Sequence, residues 1–288
     1  MAITQYSEIQ TAVENWLATT AYTARTNEFI AAGEQRINLS VRLRAMEAHL
    51  DIVLRAAIAI TAANLGGTAN AITATSGSSL TVLLLGHRFT FTAEATNTGA
   101  TTFNVDSLGA TNVQKYTAGS VVALEANDIV NGLDYEIVYD GTRYLLCPRA
   151  GYPLPSRYVA LRRLFLDGDP RRKPEFIAPE EFWDRYKKSG VGPPSIFTVE
   201  GDYLIFSPSF DTTYSGKLLY YRAFAAMSAA ADTNWLVTNA GMLYVYAALV
   251  EATPFIGAND QAAVWATQYD SLLAVSYTHL TLPTTPYV

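Results

Sequence analysis

Cysteine is almost missing from this sequence, which has one, Cys147, in 288 residues. A single thiol excludes an internal disulfide and a cysteine-based metal cluster, so the chain is not a disulfide-stabilised secreted domain. Basic charge is not in excess either, because 20 Lys and Arg stand against 26 Asp and Glu, a net charge of −6. No global positive field therefore draws the chain onto nucleic acid.

The motifs of familiar enzymes are also missing. There is no Gly-x-Gly-x-x-Gly, no Walker loop, no His-Glu-x-x-His and no Gly-x-Ser-x-Gly. Asp167 and Asp169, in Leu-Asp-Gly-Asp-Pro, fit a tight turn better than a cation site. Glu180 and Glu181 are adjacent on a predicted helix, so their carboxylates diverge and form no general acid–base pair. We predict a protein that is not an enzyme and uses no metal or cofactor.

Long hydrophobic runs are absent as well. The most apolar stretch, 236–250, is interrupted by Asn239 and is shorter than the ~20 residues of a membrane helix, so we expect no membrane partner. A hydrophobic content of 50% is nevertheless enough to build a sizeable core. The length suits one large domain or two of roughly 150 residues each.

Residues 7–55 carry a helical period. Ser7 and Gln10 predict a capping box at the start of a first helix, and a second helix is expected to begin near Thr26. Its predicted buried face consists of Phe29, Ile30, Gly33 and Ile37. Glycine inside a helix costs about 1 kcal/mol relative to alanine, so Gly33 predicts the close approach of another backbone.

Between residues 58 and 149 the pattern changes to short runs typical of strands. Seven strands are predicted, at 71–75, 80–85, 88–93, 101–105, 121–124, 135–139 and 144–147. Asp140-Gly141 predicts a hairpin with a type I′ turn between the last two. This spacing predicts a small sandwich or barrel of about 90 residues.

Residues 152–275 show a mixed pattern. A short helix is predicted to open at Pro179, followed by a three-stranded meander. Its strands are predicted at 196–199, 203–206 and 217–221. Two helices close the chain, the first capped by Thr238 or Asn239 and the second by Asn259.

The predicted fold class is α+β. An α-helical domain with a small β-meander, made of residues 1–57 and 152–275, is expected to be interrupted by an inserted all-β module at 58–149. Residues 276–288 show no period, and the sequence from Val275 resembles an out-of-frame translation of a sequencing-library adapter. We interpret 276–288 as a non-native tail; a native, disordered C-terminus is the alternative.

One region is distinguished by its charge. Between Arg157 and Lys188, nine basic residues stand against six acidic ones. The candidate partner-binding residues are Arg162, Arg163, Arg171, Arg172, Lys173, Arg185, Lys187 and Lys188. Local positive charge would face phosphates or an acidic partner. The alternative is internal pairing of Arg163 and residues 171–173 with Asp167, Asp169 and Glu175.

Several segments resemble the head–tail adaptor, or connector, proteins of tailed phages, of the short-tailed-phage type. They include TQYSEIQTAVENWL, NEFIAAGEQRINLSVRLRAMEAH, LPSRYVALRRLFLDG, PPSIFTVEGDYLIFSPSF, LLYYRAFAAMS and TNWLVTNAGMLYVYAALVEA, in that order, over about 180 residues. The predicted inserted module is similar to modules of phage tail-fibre and other virion proteins, in TNTGATTFNVDSLGA and YEIVYDGTRYLL.

The resemblance implies a structural virion protein at the head–tail junction, made in the host cytoplasm. It implies a ring, commonly of twelve copies, between the portal protein and the tail nozzle or tail-tube protein. Double-stranded DNA would pass through this ring without sequence-specific binding. A head-to-tail interface that closes by rotation needs complementary charged and aromatic faces rather than a catalytic pocket.

The alternative function is a receptor- or carbohydrate-binding virion protein that acts through the β module. Four tyrosines of the module would be exposed and stack on sugar rings: Tyr116, Tyr135, Tyr139 and Tyr144. A cell-wall hydrolase is disfavoured, because no carboxylate pair has a suitable spacing.

Overall fold

Strands outnumber helices in this protein. The computed structural model describes residues 3–17, 20–117, 119–168, 171–186, 190–257 and 259–281, and these contain sixteen β-strands and five α-helices. The chain divides into two units. We call Met1–Ala48 with Tyr220–Val288 the helical unit, and His49–Leu219 the β unit.

Four helices build the helical unit. They are α1 (Tyr6–Leu17), α2 (Thr26–Ser40), α4 (Trp235–Ile256) and α5 (Asn259–Thr281). The predicted buried face of α2 is confirmed. The predicted capping box at Ser7 and Gln10 is wrong, because the Glu8 carboxylate closes the first turn by accepting the N–H of Thr4 at 2.6 Å, and Gln10 donates to Asn27 instead.

Helix α4 is the apolar centre of the helical unit. It packs against α1, α2 and α5, and it is the helix among the described residues that is long and apolar enough to cross a membrane. Its most apolar window is 61% buried, as in the core helix of a folded domain. The cap is Asn234, which accepts the N–H of Val237 at 3.0 Å. The predicted caps Thr238 and Asn239 lie inside the helix, just before a kink at Ala240.

The last helix extends into residues 276–288, the segment interpreted from the sequence as a non-native tail. Helix α5 begins at Asn259, as expected, and continues to Thr281. It therefore includes the first residues of 276–288, and the interpretation of that segment as non-native stays a prediction.

The β unit holds most of the strands, in three sheets, together with α3 (Pro179–Arg185). The strands are β1 (Glu47–Leu54), β2 (Ala57–Ala59), β3 (Leu65–Thr68), β4 (Ala71–Ala74), β5 (Arg88–Thr92), β6 (Thr101–Val105), β7 (Thr111–Thr117), β8 (Ser120–Ala123), β9 (Asp134–Tyr139), β10 (Tyr144–Cys147), β11 (Gly151–Pro153), β12 (Tyr158–Leu166), β13 (Glu175–Phe176), β14 (Ile196–Glu200), β15 (Tyr203–Ser207) and β16 (Tyr214–Arg222). One sheet has the order β1-β16-β12 and another the order β11-β15-β14-β13.

The third sheet has nine strands. Its order is β2-β5-β9-β10-β7-β6-β4-β3, with β8 paired to β7, and it curls as a half-barrel around its own core, which includes Phe89, Phe103 and Tyr144. The predicted hairpin between β9 and β10 is present, with Tyr144 opposite Tyr139. Its loop has four residues rather than the two of a type I′ turn, and the Asp140 carboxylate accepts two of its backbone N–H groups.

The predicted fold class, an α-helical domain with a small β-meander, is wrong. Residues 47–54 form a strand instead of extending the helical region. Strand β16 joins β1 and β12 instead of β15, so the meander does not form. The predicted strand at 80–85 is also wrong, since this segment is irregular.

Candidate interaction surfaces

Four of the eight basic residues predicted from the sequence lie along one edge of the three-stranded sheet. Arg163 is exposed on β12, which is an outer strand of that sheet. The chain then folds back, because Arg172 and Leu166 exchange two backbone hydrogen bonds, of 2.9 and 3.1 Å. This pairing places Arg171 and Lys173, which are both exposed, beside the end of β12. We call Arg163, Arg171, Arg172 and Lys173 the basic edge.

Aromatic rings and not carboxylates hold two of these arginines. The Arg171 guanidinium lies 4.9 Å from the centre of the Phe165 ring, and that of Arg172 lies 5.7 Å from the centre of the Tyr214 ring. Such cation–π contacts position the side chain without neutralising its charge.

Internal neutralisation of the basic edge is not seen within the described residues. No ion pair joins its members to Asp167 or Glu175; Glu175 instead pairs with Arg185 at 3.3 Å. Asp169 lies outside the described residues. No carboxylate among the described residues therefore neutralises the charge of the basic edge.

The remaining basic candidates are placed differently. Arg185, on α3, lies between two carboxylates, Glu181 at 3.1 Å and Glu175 at 3.3 Å. Arg162 is exposed on β12 and points to the other side of the strand from Arg163, since successive side chains alternate. Lys187 and Lys188 lie outside the described residues.

The opposite edge of the same sheet is strand β1. Exposed residues alternate along its first half, from Glu47 through His49 to Asp51. The Asp51 side chain is 72% exposed and pairs with Lys217 of the central strand at 3.1 Å. The exposed carboxylate of Asp51 is therefore already paired within the sheet.

The four tyrosines considered for sugar stacking are not an exposed platform. Tyr144 is 0% exposed and lies in the core of the nine-stranded sheet, where burial raises the pKa of its hydroxyl. Tyr135 and Tyr139 are half-buried against that core. Tyr116 is half-buried too, and its N–H donates to the Tyr203 hydroxyl at 3.3 Å.

A cleft of about 520 Å³ lies on the outer face of the nine-stranded sheet. Arg88 and Glu136 form a buried ion pair there, and Arg88 also donates to the carbonyl of Gly151. Cys147 lines the cleft as well, and burial raises the pKa of its thiol to about 12, which makes it a poor nucleophile. Two carboxylates line the cleft. Glu136 is buried and paired with Arg88, whereas Asp134 is exposed and accepts the Thr92 hydroxyl at 2.6 Å.

Two buried charged residues were not predicted as notable from the sequence. Arg88 stands at the start of a predicted strand with no local sign of burial. Glu34 carried a signal, because it lies four residues after Ile30 and three before Ile37 on the buried face of α2. It is 9% exposed, one of its oxygens has no hydrogen-bond partner among the described residues, and burial raises its pKa to about 7.

Comparison with known proteins identifies a family to which the chain is similar. A family model described as SU10 adaptor protein matches residues 135–283, slightly more than half of the 288 residues. The matched region runs from β9 to α5 and contains the basic edge. No curated protein matches the chain.

Proposed function

Because this chain belongs to the SU10 adaptor protein family, we propose that it joins the head of a phage to its tail as a ring. The family is one of phage adaptors, so the chain is a structural protein of the virion that interacts with portal and tail proteins. The proposal adds where the protein lies in the virion and that its copies assemble as a ring. The ring lies at the head–tail junction of a short-tailed phage, and its subunits are made in the host cytoplasm.

The family match carries the proposal, and two properties of the chain support it. The basic edge offers exposed positive charge for a protein interface, where charge complementarity sets the encounter rate and the register. The net charge of −6 suits a ring of about twelve copies whose channel passes DNA without retaining it, because phosphate-binding surfaces are basic.

The test uses portal rings purified from the same phage. Added to these portals, the protein should form a second ring on one face, visible by negative-stain electron microscopy. Alone at micromolar concentration it should stay mostly monomeric, since subunits that add after genome packaging must not close early. Portals that remain bare over a range of protein concentrations would contradict the proposal, and bovine serum albumin at equal concentration is the control.

A second candidate function is recognition of a glycan or receptor by the nine-stranded sheet, which would make this an inserted module of the tail-fibre kind. The cleft of about 520 Å³ favours it, because Tyr135 and Phe210 line it beside Arg149 and Asp134, as aromatic and polar groups do in ligand sites. A glycan array with the wild-type protein and Tyr135→Ser tests it. Lack of wild-type binding would exclude glycans as ligands.

A further inference from the structure

We propose that neighbouring copies of this chain join by inserting a loop of one nine-stranded sheet into a pocket of the next. The loop consists of residues 75–87, which connect β4 to β5, and we call it the apolar loop. The partner is a second copy of this chain. This inference rests on the ring of the proposed function and names a contact between its subunits.

The apolar loop exposes several aliphatic side chains. It has thirteen residues without regular secondary structure, and loops of this length are uncommon unless they serve a function. No Asp, Glu, Lys or Arg occurs in it. Val82, Leu84 and Leu85 are 56%, 45% and 48% exposed. Exposed apolar side chains that are gathered in one place mark an interaction site.

Hydrogen bonds hold both ends of the apolar loop. The Asp106 carboxylate accepts the N–H groups of Ser76 at 2.8 Å and of Leu80 at 2.9 Å. At the other end, the Arg55 side chain donates to the carbonyl of Leu85 at 2.9 Å. The loop is therefore fixed before it meets a partner, which reduces the conformational entropy that binding costs.

The proposed recipient is a pocket of about 190 Å³ beside β3, the last strand of the nine-stranded sheet. All but two of its lining residues have no polar group in the side chain, and a cavity of about 150 Å³ is enough to hold a benzene molecule. The pocket therefore has room for an aliphatic side chain of the apolar loop. We call it the seam pocket, and it is lined by Leu65, Gly66, Gly67, Thr68, Ala69, Ile72, Ala93, Glu94 and Ala95.

Most of the seam pocket lies at the other end of β4 and β5 from the apolar loop. The loop follows β4 and precedes β5. In the pocket, Thr68 and Ala69 precede β4, whereas Ala93 and Ala95 follow β5. The exposed side chains of the loop do not fill the pocket of their own copy. An apolar group that fits a pocket elsewhere on the same molecule makes a head-to-tail contact, which generates rings when the rotation closes.

The charges beside the loop and the pocket are opposite. Arg55 is bound to the apolar loop, and Glu94 is exposed at the seam pocket. Neither one forms an ion pair within the part of the chain that the structure describes. Asp106, at the other end of the loop, is occupied by the N–H groups of the loop itself. Insertion of the loop into the pocket of the next copy thus matches opposite charges, which favours this register.

The small size of the contact agrees with a protein that is monomeric when free. Three partly exposed aliphatic side chains contribute much less than the ~800 Å² per partner of a stable interface. We therefore expect the contact to form when copies are held side by side on another assembly, because binding between them is then effectively intramolecular.

Cysteine cross-linking tests the contact directly. Thr81→Cys and Ala95→Cys place one thiol on the apolar loop and one at the seam pocket, both at exposed positions, and they leave Glu94 unchanged. Native Cys147 is 7% exposed, and burial raises the pKa of its thiol to about 12, which keeps it unreactive. The reagent is a short bifunctional maleimide, added to portal-bound rings.

The double variant should give a ladder of covalent oligomers beyond the dimer, whereas each single variant should stay monomeric on a denaturing gel. Dimers from Thr81→Cys alone would show that loop meets loop, and would overturn the inference. Rings without a ladder would overturn it too, while leaving the proposed function intact. If the wild-type protein forms no rings, both fail.

Substitutions check the same contact without cysteines. Val82→Asp puts a charge on the loop, and Ala95→Leu fills the seam pocket from its rim, so each should raise the protein concentration needed for rings on portals by at least about tenfold. The double variant should be no worse than either single variant, because both remove the same contact.

Val122→Asp is the matched control, since Val122 is 38% exposed on β8 of the same sheet. It should assemble like wild type. All these positions are exposed, so the melting temperatures should stay near that of wild type. Normal assembly of Val82→Asp, an equal loss for Val122→Asp, or additive losses in the double variant would overturn the inference.

Discussion

Gly33 of α2 faces the backbone of Ala248 in α4 at a distance that leaves no room for a side chain. A β-carbon built at residue 33 would lie 2.8 Å from the Ala248 nitrogen, closer than carbon and nitrogen atoms approach without a bond. The sequence predicted this close approach from a glycine within a helix, and the prediction is confirmed. The contact fixes the distance between the two helices at this point.

Gly33→Ala should therefore destabilise the protein despite the better helix propensity of alanine. Alanine gains about 1 kcal/mol in an unhindered helix, but forcing a methyl group into a filled space costs about 1–3 kcal/mol. We expect a lower urea midpoint for this variant. Gly99→Ala is the control, since no atom lies within 4 Å of a β-carbon there. Equal or greater stability of Gly33→Ala would show that α2 and α4 can separate freely.

The stability of the helical unit should depend on the protonation of Glu34. Burial raises its pKa from 4.5 to about 7, so the folded state holds the proton more tightly than the unfolded state. The resulting stabilisation is fully present below about pH 4.5 and is lost as the pH rises through about 7. Glu34→Gln, which cannot ionise, should match wild type near pH 5 and exceed it near pH 8, by on the order of 1–3 kcal/mol.

Thermal melts of both proteins at several pH values measure this difference. Glu28→Gln is the control on the same helix, because the Glu28 side chain is 62% exposed; its effect should change little with pH apart from loss of the Arg25 pair. A Glu34→Gln effect that is constant between pH 5 and 8 would show that Glu34 does not titrate in this range.

The buried pair of Arg88 and Glu136 should be costly to break from one side. Arg88→Met leaves the Glu136 carboxylate buried with the N–H of Ala150, at 3.3 Å, and removing one partner of such a pair costs about 3–5 kcal/mol. Arg88→Met combined with Glu136→Leu should recover most of the loss, since apolar replacement of both partners is often neutral. Chemical denaturation measures all three proteins.

The exposed ion pair of Lys115 and Glu125 provides the comparison. Glu125 is 81% exposed, so Glu125→Gln should cost at most about 1 kcal/mol. Similar losses for Arg88→Met and Glu125→Gln would mean that the Arg88 side chain is open to water.

The local sequence pattern predicted an element correctly where the residues of that element alone determine its structure. The period of apolar residues predicted helix α2, and a proline in the first turn predicted α3. Asp140-Gly141 predicted the hairpin of β9 and β10. Residues 47–54 were misread because their ends carry charges at helical spacing, whereas the buried residues Ile52 and Leu54 are two apart, the period of a strand.

Contacts between distant parts of the chain could not be predicted in the same way. Nothing local to Lys217 shows that its strand pairs with residues 47–54 rather than with β15. The basic edge was found by charge density alone, but its position beside β12 depends on the return of the chain from Leu166 to Arg172. The burial of Arg88 likewise depends on Gly151, which is 63 residues away.

Removal of residues 60–149 tests the predicted domain organisation. With a short Gly/Ser linker in their place, residues 1–57 and 152–275 should still fold, because the helices of the helical unit pack on each other and loop closure changes by only about 0.6 kcal/mol per doubling of length. Tyr203→Ser should accompany the deletion, since Tyr203 packs against Val138 and Leu145. A cooperative far-UV circular dichroism melt is expected; a non-cooperative melt would contradict the prediction.

The last prediction separates an interface role of the basic edge from a structural one. Arg171, Arg172 and Lys173 are exposed, so reversing all three to Glu should cost little stability. The loss should be limited to two cation–π contacts, of about 0.5–1 kcal/mol each. If these residues face the portal or a neighbouring subunit, the variant should associate with portal much more slowly at low salt. The difference should shrink near 0.5 M salt, where the Debye length is roughly 4 Å.

Reversal of Arg44, Arg149 and Arg222 to Glu is the matched control, because these arginines are exposed and the net charge changes equally. This control separates the effect of position from that of overall charge, which also changes association rates. Melting temperature and portal association are measured on both triple variants at low and high salt. A large loss of stability with a normal association rate would assign the basic edge to the fold, since interface charges act on the encounter and not on the folded monomer.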